Sequence, residues 1–163
     1  MTLTTHAAFG AALAQLTPHS PVTGFVVGFA SHFVLDAIPH WDYPLASHTG
    51  GDDSLDADMQ LGQKFVFDLS KIALDVLLGL ALVLTLPRGL VSQNVLLVGA
   101  LGAMLPDALQ FAYFKLRGPL LTPLQRFHLW IHTDIRIKNV SVGAGSQIVL
   151  LGMLWWFMLF LLA

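Results

Sequence analysis

The feature that most constrains this chain is the run SHFVLDAIPHWD at residues 31–42, where two histidines and two aspartates interrupt an apolar stretch. His32 and Asp36 are four residues apart, so on a helix they share one face. Pro39 disfavours helix at the residue before it and places His40 just past the helix end. Imidazole and carboxylate at this spacing indicate a site for a zinc-like or iron-like ion.

Composition predicts a membrane protein. The 163 residues are 55% hydrophobic and only 11% charged, whereas a soluble domain carries about a quarter charged residues. We therefore expect a single all-α domain over residues 1–163, an integral membrane helical bundle. The net charge of −2 and the lack of a basic stripe argue against a nucleic-acid partner. The N-terminus lacks the positively charged region of a cleaved secretory signal, so no cleavage is expected.

The residue types restrict the chemistry of any metal site. The chain has no cysteine, which excludes disulfides and thiolate ligands. It also has no glutamate, so every acidic side chain is an aspartate. A bound metal must therefore use histidine and aspartate. Charged side chains in or near a bilayer are costly, and their usual reason for being there is functional.

Hydropathy and breaker residues divide the chain into about four transmembrane helices plus a short or interfacial helix. Apolar helices are predicted at 3–16, 22–38, 59–86, 91–116 and 147–163, with turns at 17–21 and 87–89. The loop at 40–58 is polar. The segment 117–145 is also polar and contains a predicted interfacial helix at 123–135.

The basic residues set an orientation. If the 40–64 loop is cytoplasmic, one basic residue, Arg88, lies outside, and six lie at the inner interface, as the positive-inside rule favours. The six are Lys64, Lys115, Arg117, Arg126, Arg136 and Lys138. The N-terminus is then cytoplasmic, and most of the intramembrane polar residues fall at one depth. These are His6, His32, Asp36, His40, Asp68, Asp75, Asp107, His128 and His132, whereas His19 and His48 are left out.

Two further motifs carry possible ligands. Asp107 follows Pro106 in an apolar helix, where a kink can open space for an ion. His128 and His132 have the i, i+4 spacing of two ligands on one helix, but no glutamate follows the first, which excludes a metalloprotease motif. The alternatives are a buried polar network that ties helices together and, along the predicted third helix, ion pairs of Asp68 with Lys64 and of Asp75 with Lys71.

Three of these motifs resemble a known family. An N-terminal Thr-His followed by small residues, the pattern His-x-x-x-Asp-x-x-Pro-His, and a later Pro-Asp in an apolar helix are similar to the YdjM-like family of bacterial inner-membrane proteins, which are predicted metal-dependent hydrolases. The matching positions are His6, His32, Asp36, Pro39, His40 and Asp107. The resemblance implies a small helical protein of the bacterial inner membrane whose His/Asp cluster binds metal and cleaves an ester or phosphoester.

The sequence thus predicts a membrane-bound metal-dependent hydrolase with a lipid or lipid-linked substrate and one or two divalent ions, zinc being favoured over manganese or iron. The predicted catalytic residues are Asp36, Asp107 and His40. The predicted metal ligands are His6, His32, Asp36, His40, Asp75, Asp107, His128 and His132. Lys115 or Arg126 is expected to hold a phosphate head group. The alternatives are a metal-ion or proton transporter, and a non-catalytic scaffold with a structural metal.

Overall fold

A computed structural model describes residues 1–17, 20–51, 54–87 and 91–162. Over these ranges the chain forms six helices and one small two-stranded ladder. The helices are α1 (Leu3–Gln15), α2 (Pro21–Asp36), α3 (Gln63–Thr85), α4 (Gln93–Leu116), α5 (Thr122–Ile131) and α6 (Val140–Leu162). The strands β1 (His48–Thr49) and β2 (Asp58–Met59) pair antiparallel within the long loop. The all-α prediction is confirmed.

The prediction of about four membrane spans is not confirmed. In the described part of the chain, two helices, α4 and α6, are long and apolar enough to cross a membrane. The helix α3 has the length but carries four charged residues, and α2 has only 16 residues. Pro18, His19, Asp52, Asp53 and residues 88–90 lie outside the described ranges, and with them parts of the two predicted turns and of the acidic loop.

The last helix begins seven residues earlier than predicted. Glycine and serine within 140–147 weaken its apolar pattern, but Asn139 supplies a cap. The Asn139 side-chain oxygen accepts a hydrogen bond from the Val142 backbone N–H at 3.0 Å, and the Asn139 carbonyl accepts one from Gly143 at 2.8 Å. Such a cap satisfies donors that a helix start leaves without partners.

The predicted interfacial helix ends at Ile131 instead of 135, because the chain after it pairs with the end of α2. The backbone N–H of Thr133 donates to the Asp36 carbonyl at 2.8 Å, and that of Ile137 donates to the His40 carbonyl at 2.9 Å. These bonds hold residues 133–137 against the end of α2 and the loop residue His40. They therefore position His132 beside the end of that helix.

The core is built where α1, α2 and α4 approach each other through small residues. A Cβ atom on Gly28 would lie 2.0 Å from the Gly99 carbonyl oxygen, and one on Gly10 would lie 2.6 Å from the same atom. Only glycine permits backbones to come this close. Buried alanines and larger apolar residues fill the space around this crossing, among them Ala7, Ala11, Ala14, Val95, Leu96 and Ala100.

The long loop is fastened to the bundle by side chains of α3 and α4. Asp68 accepts hydrogen bonds from the Ser47 N–H at 2.7 Å and from its hydroxyl at 2.8 Å. Lys115 contacts Asp58 at 2.6 Å and the Met59 carbonyl. Arg117 donates to the carbonyls of residues 55–57. The loop is therefore tied down on the side of the molecule that carries the polar residues.

Candidate metal centre

Seven of the predicted site residues meet at one end of the bundle. The cluster forms where the first turns of α1 lie beside the end of α2, the C-terminal half of α4, and α5. Its members are His6, His32, Asp36, His40, Asp107, His128 and His132. His32 and Asp36, which the helical spacing predicted to lie together on α2, are therefore joined by residues from α1, α4 and α5. Below, these seven residues are called the cluster.

Asp36 lies at the centre of the cluster and is 1% exposed. Its Oδ2 atom lies 3.0 Å from Nε2 of His32 and 3.3 Å from Nε2 of His128. Its Oδ1 atom lies 3.1 Å from Nε2 of His6 and 3.8 Å from Nε2 of His40. The two oxygens of one carboxylate thus face two different sets of imidazoles.

The first potential ligand group consists of His32, Asp36, Asp107 and His128. One ligand atom from each of these four residues lies within 4.8 Å of all the others. Asp107 Oδ1 lies 3.7 Å from Nε2 of His32, and the Asp107 side chain is 33% exposed. The first group thus consists of three buried ligands and one carboxylate that is partly exposed at the protein surface.

A second potential ligand group consists of Asp36, His40 and His132, whose ligand atoms also lie within 4.8 Å of one another. Asp42, which sequence analysis did not include among the site residues, lies beside it, with Oδ2 3.1 Å from Nε2 of His40. The position of Asp42 two residues after His40 is the sequence feature that could have identified it as a site residue. The loop that follows Pro39 turns both side chains to the same side.

Backbone carbonyls fix the orientation of three imidazoles. Nδ1 of His32 lies 2.8 Å from the Ala103 carbonyl, Nδ1 of His40 lies 2.7 Å from the Ile38 carbonyl, and Nδ1 of His132 lies 3.1 Å from the Thr133 carbonyl. A carbonyl only accepts, so each Nδ1 donates its hydrogen. Nε2 is then the nitrogen left to bind a ligand, which is the usual arrangement of metal-binding histidines. In His32 this nitrogen also lies 3.3 Å from Nε2 of His128.

The imidazole ring of His6 is buried and makes no hydrogen bond. Both of its ring nitrogens, and Nε2 of His40, are buried without a hydrogen-bond partner in the described structure, although carboxylate oxygens lie 3.1 Å away. The His6 ring stacks on that of His32 at a centroid distance of 4.1 Å. An unsatisfied buried polar atom is costly, and a metal ion near Asp36 would give Nε2 of His6 and Nε2 of His40 a partner.

Burial and neighbouring charges shift the pKa values of three groups in and beside the cluster: the Met1 α-amino group, Asp42 and His132. The α-amino group of Met1 lies 3.1 Å from Asp36 Oδ1 and 2.8 Å from Asp42 Oδ1. Burial by itself lowers the pKa of that amino group, but the nearby carboxylates raise it by more. Burial by itself raises the pKa of Asp42, but His40 and the amino group hold it below its usual range. Burial lowers the pKa of His132, which favours the neutral imidazole that binds metals.

Asp75 is a predicted ligand that the structure does not bring into the cluster. Its carboxylate accepts hydrogen bonds from the backbone N–H groups of Leu3 at 2.7 Å and Thr4 at 2.9 Å, and from the Thr4 hydroxyl at 2.6 Å. Asp75 therefore caps the start of α1 across the helix interface. The ion pair expected with Lys71 is not formed by Asp75, because Lys71 Nζ lies 2.8 Å from Asp68 instead.

The predicted head-group ligands differ in their availability. Lys115 is engaged with β2, as described above. Arg126 on α5 is exposed. Asp68, which was expected at the same membrane depth, does not join the cluster, and its carboxylate binds the backbone N–H of Ser47 instead. Its ion-pair partner is Lys71 and not the expected Lys64.

The donor set fits a divalent ion. Neutral imidazole nitrogens and carboxylate oxygens without cysteine are suitable ligands for zinc, manganese or iron, and the cluster cannot distinguish between them. The buried His/Asp residues could thus hold a metal ion. No protein-family model matches the chain, and neither a curated protein nor a solved structure is similar enough to count as a match.

Proposed function

We propose that this protein is a membrane-bound metal-dependent hydrolase that cleaves an ester or phosphoester of a lipid or lipid-linked substrate. The observation that carries the proposal is the partial opening of the cluster. His32, Asp36 and His128 are buried, whereas Asp107 is 33% exposed on the same ligand group. A structural metal site is usually closed by four ligands, but a catalytic site keeps a position for water or substrate.

The first ligand group would hold the ion, with the Ala103 carbonyl fixing the tautomer of His32. A divalent ion bound there would lower the pKa of a water molecule and make hydroxide available near neutral pH. In the overall reaction the water oxygen forms a bond to the phosphorus or acyl carbon, and the bond from that atom to the leaving oxygen breaks.

The three residues predicted as catalytic have different roles. Asp107 lies at the exposed edge of the group, so we place one of its carboxylate oxygens on the ion and the other as the base that takes the proton of the attacking water and returns it to the leaving oxygen. Asp36 holds and orients the surrounding imidazoles. His40, with its Nε2 directed toward Asp36 and Asp42, is the second group able to move a proton at this edge.

Large exposed apolar side chains near the cluster support a membrane-associated substrate. Trp130 on α5 is 78% exposed, and Ile38 and Ile135, which are close in sequence to His40 and His132, are also exposed. Tryptophan and aliphatic residues around a polar site are typical of the membrane interface. Together with α4 and α6 as candidate spans, these residues support a position of the cluster near lipid head groups, where ester and phosphoester bonds lie.

The experiment measures metal content and hydrolysis on the same detergent-purified protein. Elemental mass spectrometry gives the metal per chain, and release of p-nitrophenol from p-nitrophenyl phosphate, and of phosphate or fatty acid from phospholipid micelles, gives the activity. We expect bound metal and hydrolysis of at least one substrate. Both should be lost in His32→Ala and kept in His48→Ala, which removes a histidine of the loop strand β1 instead.

Metal-free wild-type protein that also fails to take up zinc, manganese or iron would overturn the proposal. Stable metal binding without hydrolysis of any of these ester classes would overturn the enzymatic part and leave a structural metal. Activity that survives in His32→Ala would show that the reaction takes place elsewhere.

A further inference from the structure

We propose that the cluster binds two divalent ions and that Asp36 bridges them. The proposal rests on the proposed metal-dependent function and adds a second metal site, formed by Asp36, His40 and His132. The two oxygens of Asp36 do not converge on one set of ligands.

Each oxygen of Asp36 has its own imidazoles. Oδ2 lies 3.0 and 3.3 Å from Nε2 of His32 and of His128, which belong to the first ligand group. Oδ1 lies 3.8 Å from Nε2 of His40 in the second group. Oδ1 also accepts a hydrogen bond from the Met1 α-amino group at 3.1 Å, and an ion bound to this oxygen would displace that cation. An aspartate that ligated a single ion would need only one of these sets. A carboxylate that offers one oxygen to each of two ligand sets has the arrangement of a bridging ligand.

The second group has two imidazoles of its own, each oriented by a backbone carbonyl as His32 is in the first group. Nδ1 of His40 and Nδ1 of His132 are both directed to backbone carbonyls, at 2.7 and 3.1 Å. Their rings lie 4.9 Å apart, centroid to centroid. Because Nδ1 of each ring donates to a carbonyl, Nε2 is in each case the nitrogen left to bind an ion.

Buried atoms without hydrogen-bond partners lie on this side of Asp36. Nε2 of His40 and both nitrogens of His6 are buried without such a partner in the described chain. His6 Nε2 lies 3.1 Å from Oδ1 of Asp36, and Asp42 Oδ2 lies 3.1 Å from Nε2 of His40. An ion at this position can therefore complete its coordination with His6 or Asp42, in addition to the three residues of the second group.

The backbone explains why the two groups stay together. His132 is held beside α2 by the bonds from Thr133 to the Asp36 carbonyl and from Ile137 to the His40 carbonyl, at 2.8 and 2.9 Å. Asp36 thus contributes its side chain to both groups and its carbonyl to the segment that carries His132. Ions bridged in this way lie about 3.5–4 Å apart and can clamp both the attacking and the leaving oxygen of an ester.

The test counts manganese. The full-length protein in detergent is stripped with a chelator, equilibrated with Mn²⁺ and freed of excess metal. We expect two Mn²⁺ per chain by elemental mass spectrometry, with the electron paramagnetic resonance spectrum of a spin-coupled pair. One Mn²⁺ per chain, with the spectrum of an isolated ion, would overturn the second site but not the proposed function. No bound Mn²⁺, Zn²⁺ or Fe²⁺ would overturn both.

Two variants assign the ions to their groups. His132→Ala is expected to retain one Mn²⁺ and lose the coupled signal, because it removes a ligand found only in the second group. Asp107→Asn should likewise retain one ion by weakening only the first group. The control His48→Ala should keep two. Two strongly bound, coupled ions in His132→Ala would contradict the assignment, as would the loss of all metal from a His132→Ala protein that still elutes as folded.

Discussion

Oδ2 of Asp36 lies 3.0 Å from Nε2 of His32, one helical turn earlier on α2. The same carboxylate also contacts His128 and His6, so it has no substitute within the cluster. We therefore expect Asp36→Asn to weaken metal binding by at least about tenfold, since even outer-shell partners of metal ligands contribute about 10–100-fold to affinity. The measurement is competition for Zn²⁺ against a chromogenic chelator.

The matched control for this change is Asp134→Asn, which makes the same substitution at an exposed aspartate of the segment after α5. Its zinc affinity should equal that of the wild type. Unchanged affinity in Asp36→Asn would show that the carboxylate serves only to pair with the histidines, and the cluster would then be a polar packing network.

Local rules predicted the elements and the centre of the cluster. The i, i+4 spacing of His32 and Asp36, and the stop at Pro39, follow from helix geometry alone. The approach of Asp107 to His32 at 3.7 Å was predicted only through the expected topology, which placed both at one end of the bundle. The structure brings them together because glycines allow α2 and α4 to cross closely.

The role of Asp75 could not be predicted from spacing, because its partner is a helix terminus distant in sequence. The first N–H groups of any helix need acceptors, but the side chain of Thr2 at the N-cap of α1 makes no capping hydrogen bond. The acceptor comes from α3 instead. Residues 133–137 were also missed, since pairing with the end of α2 depends on tertiary contacts that hydropathy does not reveal.

Removal of the cap that Asp75 provides should destabilise the fold without emptying the cluster. In Asp75→Ala the N–H groups of Leu3 and Thr4 lose their acceptor, and loss of a helix cap costs about 0.5–2 kcal/mol. We expect a lower apparent melting temperature in detergent, with the metal-to-chain ratio maintained at low temperature. If Asp75 were a ligand, as the sequence predicted, the ratio would fall while the protein remained folded.

A methyl group at the helix crossing should separate the helices that carry His32 and Asp107. Because a Cβ on Gly28 would lie 2.0 Å from the Gly99 carbonyl oxygen, Gly28→Ala forces α2 and α4 apart, and overpacking of this kind costs about 1–3 kcal/mol. We expect a lower melting temperature and weaker metal binding. The control Gly152→Ala lies on α6 with no atom within 4 Å of the new Cβ, so it should not lower stability.

Metal removal should destabilise the wild type, because an ion that binds only the folded state adds its binding free energy to the stability. At a free concentration 100 times the dissociation constant this gain is about 2.7 kcal/mol. Stripping with a chelator should therefore lower the apparent melting temperature, and Zn²⁺ should restore it. In His32→Ala the chelator should have little further effect. Equal melting temperatures of stripped and loaded wild type would argue against a metal held by the cluster.

The exposed apolar surface of α6 leads to a prediction about the membrane. This helix has no charged residue, and its buried residues are only Gly143, Gln147 and Met158. If α6 crosses a bilayer, Met153→Lys, at a position that is 55% exposed near its middle, places a charge among lipid tails at a cost of about 2.5–3.5 kcal/mol.

Wild-type protein should remain in the membrane pellet after alkaline carbonate extraction, and Met153→Lys should reduce that fraction. The control Leu61→Lys adds the same charge to a loop residue that is 71% exposed, and it should behave as wild type. Extraction of the wild type into the supernatant would show that α6 covers a partner protein instead of spanning lipid. That result would also remove the reason for placing the cluster near lipid head groups, and soluble phosphoesters would become the better candidate substrates.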